Sequence, residues 1–196
     1  MIDNNEKLEK FDGKKYVGII SLVFIIAIFF GYVSSSLQPD QSEKFIESVF
    51  ESLSFIDFNN PLEVFMIIFL NNSSKAFIAM VAGFFFGIFP VSFVFLNGYI
   101  IGVIIYVKGS ELGILRVAVS LLPHGILEIP AVIIASAYGL YLGKLFYLRV
   151  FRSRSIDMKL AMKEFIKKFI TVIIPILLIA ALIETFVTPY LIYRFS

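Results

Sequence analysis

Tyr16 to Ser34 reads YVGIISLVFIIAIFFGYVS, a stretch without a single charged residue. A helix needs about 20 apolar residues to cross the hydrocarbon core of a bilayer, so this segment alone is long enough. It exceeds the apolar core of a signal peptide and has no Ala-x-Ala cleavage site, so it reads as a retained span. The rest of the 196-residue chain has the same character: 59% hydrophobic, 16% charged, 23 Phe, and a mean hydropathy of +0.90. A soluble domain of this size has too little interior to hide so much apolar surface. Disorder and nucleic-acid binding are excluded as well, because the net charge is only +2 and no basic domain stands apart. The absence of Cys removes disulfides, thiolate metal sites, thiol nucleophiles and palmitoylation.

Four more runs follow, at residues 62–89, 91–107, 125–146 and 169–192. They are continuous rather than alternating, which selects helices over a transmembrane barrel. The chain therefore reads as one all-α transmembrane domain over 1–196. Its architecture is a polytopic bundle of about five transmembrane helices (16–34 the first), with short re-entrant or interfacial helices between them. Leu112 to Leu122 is apolar too, but its eleven residues reach only about 16 Å. Twelve of the 17 basic residues lie in two places: Lys7, Lys10, Lys14 and Lys15, then Lys144, Arg149, Arg152, Arg154, Lys159, Lys163, Lys167 and Lys168. The Ser35–Asn60 loop has Lys44 against Asp40, Glu43, Glu47, Glu51 and Asp57. Excess Lys and Arg marks the cytoplasmic side. Five crossings then put the N-terminus inside, the acidic loop and C-terminus outside, and residues 112–122 at the outer surface or dipping in and returning. The expected location is the cytoplasmic membrane.

Residues 42–56 read as an acidic amphipathic helix, with Phe45, Ile46, Val49, Phe50, Leu53 and Ile56 on one face. Its acidity favours packing on the protein's own outer face over anionic lipid. Residues 156–168 form a basic counterpart, suited to the cytoplasmic leaflet. Small residues recur four apart: Gly83 and Gly87, Gly98 and Gly102, then Ala131, Ala135, Gly139 and Gly143. Such spacing lets helices approach closely in lipid, within one chain or between copies, and makes a homodimer an expectation.

Ionisable groups inside spans are costly and point to function. His124 and Glu128 are four apart and share a helix face if the helix starts early enough; Pro123 and Gly125 predict an irregular turn before the fourth span. Depth at about 1.5 Å per residue brings Asn71, Asn72, Lys75, His124, Glu128 and Glu184 toward one outward-facing polar cavity, with Lys75 as partner of Glu128 or Glu184. Asn97 falls near the inner end of the third span, apart from them. Interhelical bonding, a small-solute or ion pathway, and a metal or catalytic site are the available readings. His124 and Glu128 are only two metal ligands, and neither a His-Glu-x-x-His pair nor a Gly-x-Ser-x-Gly turn is present. No cofactor, resident metal or enzymatic activity is expected.

Taken together, Asn71 or Asn72, Gly83, Gly87, Asn97-Gly98-x-x-x-Gly102 and Leu122-Pro123-His124-Gly125-Ile126-x-Glu128-x-Pro130-Ala131, with Gly139 and Gly143 downstream, resemble the stage II sporulation protein M family, also called SpoIIM or DUF95. The resemblance covers residues 15–192 and implies a five-span protein without catalytic residues. It implies a scaffold or localisation role in a membrane complex that remodels the cell envelope, with other membrane or envelope proteins as partners. Asn97, Gly98, Pro123, His124, Gly125 and Glu128 carry the motif. An outward-facing permease is the alternative, and a membrane metalloenzyme centred on His124 and Glu128 a third reading.

Overall fold

The computed structural model describes residues 11–51 and 60–190; the side chains of residues 50, 120 and 122–124 fall outside that description. Among the described residues seven α-helices follow one another: α1 Gly13–Leu37, α2 Pro39–Glu51, α3 Pro61–Val81, α4 Ile88–Leu112, α5 Ile114–Phe151, α6 Met158–Lys168 and α7 Ile174–Phe186. No strand occurs among the described residues. Among the described residues, five stretches are long and apolar enough to cross a membrane: Gly13–Leu37, Pro61–Phe84, Ile88–Leu112, Gly125–Phe151 and Met158–Tyr190. The all-α five-span bundle expected from the apolar runs is the observed architecture.

Local chemistry sets the helix starts. Asp12 accepts a bond from the Lys15 amide (3.1 Å), Asn60 from the Glu63 amide (3.3 Å), and Asp157 from the amides of Lys159 and Leu160 (3.0 Å each). Each satisfies donors that a first turn leaves orphaned. Pro61 follows its cap at a position where no N–H is missed.

Two expectations change at the breaks. The second span, α3, stops at Val81, short of residue 89, in a 3-10 turn over Ala82–Phe84. Phe86 (φ 54°) and Gly87 (φ 76°) then take left-handed backbone, and α4 starts at Ile88. The larger change concerns residues 112–125. The predicted surface or re-entrant segment at 112–122 and the predicted irregular turn at Pro123–Gly125 are absent. Instead α5 runs unbroken through both, for 38 residues. At 1.5 Å per residue that is about 57 Å, well beyond a hydrocarbon core of about 30 Å. The short apolar run is the first part of this helix, not a separate element. The break falls earlier, at Gly113, whose φ of 86° closes a one-residue hairpin with α4.

The last span also differs from two separate pieces. α6 continues into α7 through a π-turn, Phe169–Ile173, in which the Ile174 amide bonds the Phe169 carbonyl. Pro175 explains the widening: its ring would crowd the carbonyl four residues back and leave it without a partner.

Packing rests on missing side chains. α1 and α4 run parallel, and a Cβ at Gly98 would meet the Phe24 carbonyl oxygen (2.7 Å) and Ala27 Cβ (2.9 Å). One at Gly102 would enter the backbone of Ile28 and Tyr32, and one at Gly31 the backbone of Tyr99. The turn after α3 seats on α5 in the same manner, Gly83 against Gly139 and Gly87 against Gly143. Ala131 and Ala135 on α5 are fully buried in the main core with Ile20, Met80, Leu142, Ile173 and Leu177. Every small-residue ladder read from the sequence is filled within this chain. α2 lies on α4: Ile46, 1% exposed, joins Val103 and Val107 in a second cluster. Residues 52–56 of the predicted amphipathic helix lie outside the described residues.

Candidate functional site

The Gly113 hairpin decides which polar groups meet. Counted back along α4, Asn97 is about four turns from Gly113; counted forward along α5, Glu128 is about four turns from it as well. The two therefore reach the same level on adjacent helices, and they line one small cavity with Phe24, Ile101, Ile129, Val132 and Ile133. Asn97 thus belongs with Glu128, a correction to its expected separate place. Ending the third span at 107 and starting the fourth at 125 shifts the register by several turns.

The cavity has a volume of about 20 Å³. A single water needs roughly 10–15 Å³ of such space, so the site has room for one water. Glu128 is 6% exposed. The Asn97 amide donates to the Phe93 carbonyl on its own helix (2.7 Å), leaving its side-chain oxygen and one N–H for other partners. Gly98, one position on, faces α1 instead, so the Asn97-Gly98 pair serves two interfaces at once.

The other expected members do not line this cavity. Asn71 is exposed, and among the described residues its amide reaches its neighbour Asn72 (3.3 Å). Lys75 is exposed and makes no ion pair among the described residues, so it is not the counter-ion of Glu128 or Glu184. Glu184 is half-buried on α7, next to buried Thr185. Pro123 and His124 have helical backbone on α5, one turn before Glu128; their side chains lie outside the described residues. Gly125 is half-buried within the same helix, where an added Cβ would meet only Ile129 (3.8 Å).

A second concavity lies at the α2 end of the bundle. It encloses about 390 Å³ between Ser34, Gln38, Gln41, Ser42, Phe45 and Tyr99, and the Ser34 hydroxyl donates to the Tyr99 hydroxyl (2.9 Å). Nothing in the hydropathy pattern marks it, because it arises where the Tyr99 face of α4 meets the turn between α1 and α2.

Charge is divided between the two ends. The α1 start, the α5 end and α6 meet in an aromatic cluster, with Phe11 on Tyr138 (4.4 Å between centroids), Tyr16 on Tyr141 (5.2 Å) and Tyr138 on Phe165 (5.3 Å). Lys15 lies over the Tyr16 ring (6.0 Å) and Lys144 over the Tyr141 ring (5.9 Å). Arg149, Arg152, Arg154 and Lys159 follow at the α5 end and the α6 start, whereas Asp40, Glu43, Glu47 and Glu51 belong to α2 at the opposite end.

No solved structure matches this chain. An uncharacterized protein of the archaeon Methanocaldococcus jannaschii is 28% identical over 137 residues, covering 64% of this chain and 58% of that protein. The chain thus spans less than two thirds of that relative's length. A family model described as stage II sporulation protein M matches residues 20–189, which takes in α3, the Asn97–Glu128 cavity and both glycine interfaces. The chain belongs to the stage II sporulation protein M family of membrane proteins.

Proposed function

We propose that the chain is a non-enzymatic scaffold of the cytoplasmic membrane, holding cell-envelope proteins in place. The observation that carries this reading is the size of the space beside Asn97 and Glu128. Asn97 and Glu128 meet across a space of about 20 Å³, fit for one water rather than a solute. Around that space the helices are locked by glycine contacts rather than poised on a hinge. Polar side chains facing one another at one level of adjacent helices suit a role in fixing helix register, as interhelical hydrogen bonds do in membranes. The charge division supports an N-terminus inside and the α2 end outside. The glycine ladders that suggested a homodimer are occupied within the chain, so they supply no surface for a second copy.

The test has two parts. In native membranes, cross-linking should recover a constant partner in fixed ratio with the chain. In liposomes, the purified chain should leave ion and small-solute flux at the level of empty vesicles. Repeated recovery of the chain alone, or a flux that disappears in Glu128→Gln, would replace the scaffold with a permease.

A further inference from the structure

We infer that one face of α3 is a docking surface for another protein's transmembrane helix carrying a carboxylate near mid-depth. Asn71, Ser74, Lys75 and Ile78 follow the i, i+3, i+4, i+7 spacing of a single helical stripe, and all four are exposed. Their position along the bundle follows from packing. Gly83 sits on Gly139, at the level of the basic-end aromatic cluster. Lys75 is eight residues further from that end, about 12 Å deeper. That distance exceeds what its four-carbon stem can snorkel across. An ammonium, an amide and a hydroxyl therefore face the hydrocarbon in the isolated chain, where unpaired polar groups are strongly disfavoured.

Three occupants can be compared. A second copy related by a two-fold axis would set stripe against stripe at equal depth, bringing Lys75 against its own counterpart. A heterologous second copy would have to offer a carboxylate on its lipid face, but Glu128 is buried and Glu184 is half-buried and already engaged. Lipid tails offer no acceptor at this depth. A different chain with an Asp or Glu at matching depth satisfies the charge, and Asn71 and Ser74 add hydrogen bonds that specify register. This inference rests on the scaffold reading in supplying the face such a scaffold would use.

The test uses the purified full-length chain in liposomes and a labelled poly-leucine transmembrane peptide bearing one mid-span Asp. The chain has no Cys, so a donor dye on Ser155→Cys reports association by energy transfer. The Asp peptide should bind at least tenfold tighter than its all-Leu parent. Lys75→Leu should erase that preference, and Lys75→Arg should keep it. Lys75→Leu removes a charge from an exposed position, so loss of folding is not the expected cause of lost binding. Equal binding of the two peptides, or an unchanged preference in Lys75→Leu, would overturn the inference. Self-cross-linking of a Ser74→Cys variant would assign the face to a second copy and overturn it too. If the peptide preference fails while native cross-linking still recovers a partner, the scaffold stands and docks through another face.

Discussion

At the residue scale, the fold depends on where side chains are absent. Gly102 and Gly18 are both helical glycines, but their surroundings differ. A Cβ at Gly102 would enter the α1 backbone at Ile28, whereas one at Gly18 meets nothing within 4 Å. Gly102→Val should therefore destabilise the bundle by about 1–3 kcal/mol or more, because backbone on the far side cannot yield as a side chain can. Gly18→Ala should be neutral or stabilising by up to about 1 kcal/mol, through helix propensity alone. Thermal unfolding in mild detergent distinguishes the two, and equal effects would mean that the α1–α4 contact is looser than described. Ser136 makes a complementary case. It is fully buried between Ala135 and Ala137, and its hydroxyl finds no hydrogen-bond partner among the described residues. Removing a buried hydroxyl that lacks a partner relieves its desolvation cost, so Ser136→Ala should raise the melting temperature, by about 1 kcal/mol of stability. A marked drop would show that the hydroxyl has a partner in the membrane.

At the element scale, the helices that the sequence displayed best were those with one continuous apolar run, α1 above all. The α4–α5 hairpin is hidden from hydropathy because both helices contain residues typical of loops. Gly109, Ser110 and Glu111 lie within α4, where Lys108 pairs with Glu111 (2.7 Å), and Pro123 and Gly125 lie within α5. Hydropathy finds polar interruptions but does not say which of them turn the chain. The one residue that does is Gly113, and its positive φ is the physical signal. Counting from it recovers the Asn97–Glu128 pairing, which span boundaries at 107 and 125 had hidden. Ala27 and Gly31, four apart on α1, are a second missed signal, since they form the partner surface for Gly98 and Gly102. α2 gives a prediction of its own. Its hold on the bundle passes through Ile46, 1% exposed against Val103 and Val107. Ile46→Ala should cost about 2–4 kcal/mol of local packing. The amides of residues 40–51 should then exchange with solvent well before those of α4, as hydrogen-exchange mass spectrometry would record. Uniform protection of both helices would place the anchor of α2 elsewhere.

For the whole molecule, the same few charges must serve orientation, assembly and interior chemistry, and the structure separates these roles. The basic residues gather around one aromatic-clad end, the acids of α2 mark the other, Glu128 is withdrawn into the bundle, and Lys75 is left on its flank. The sequence had merged the last two into one cavity, because depth along a helix can be counted from sequence but rotation about its axis follows from packing. Orientation is independent of that error and can be measured directly. The chain contains no Cys, so each engineered thiol reports alone. Asp40→Cys on α2 and Lys159→Cys on α6 are both exposed polar positions, at opposite ends of the bundle. A membrane-impermeant maleimide applied to intact cells should modify Asp40→Cys and leave Lys159→Cys untouched until the membrane is opened. The reverse pattern would invert the molecule in the bilayer. It would turn α2 and the groove beside Tyr99 toward the cytoplasm and would contradict the bias that Lys and Arg impose on loops. Labelling of both thiols in intact cells would mean that the two ends share one side, which an odd number of crossings does not allow.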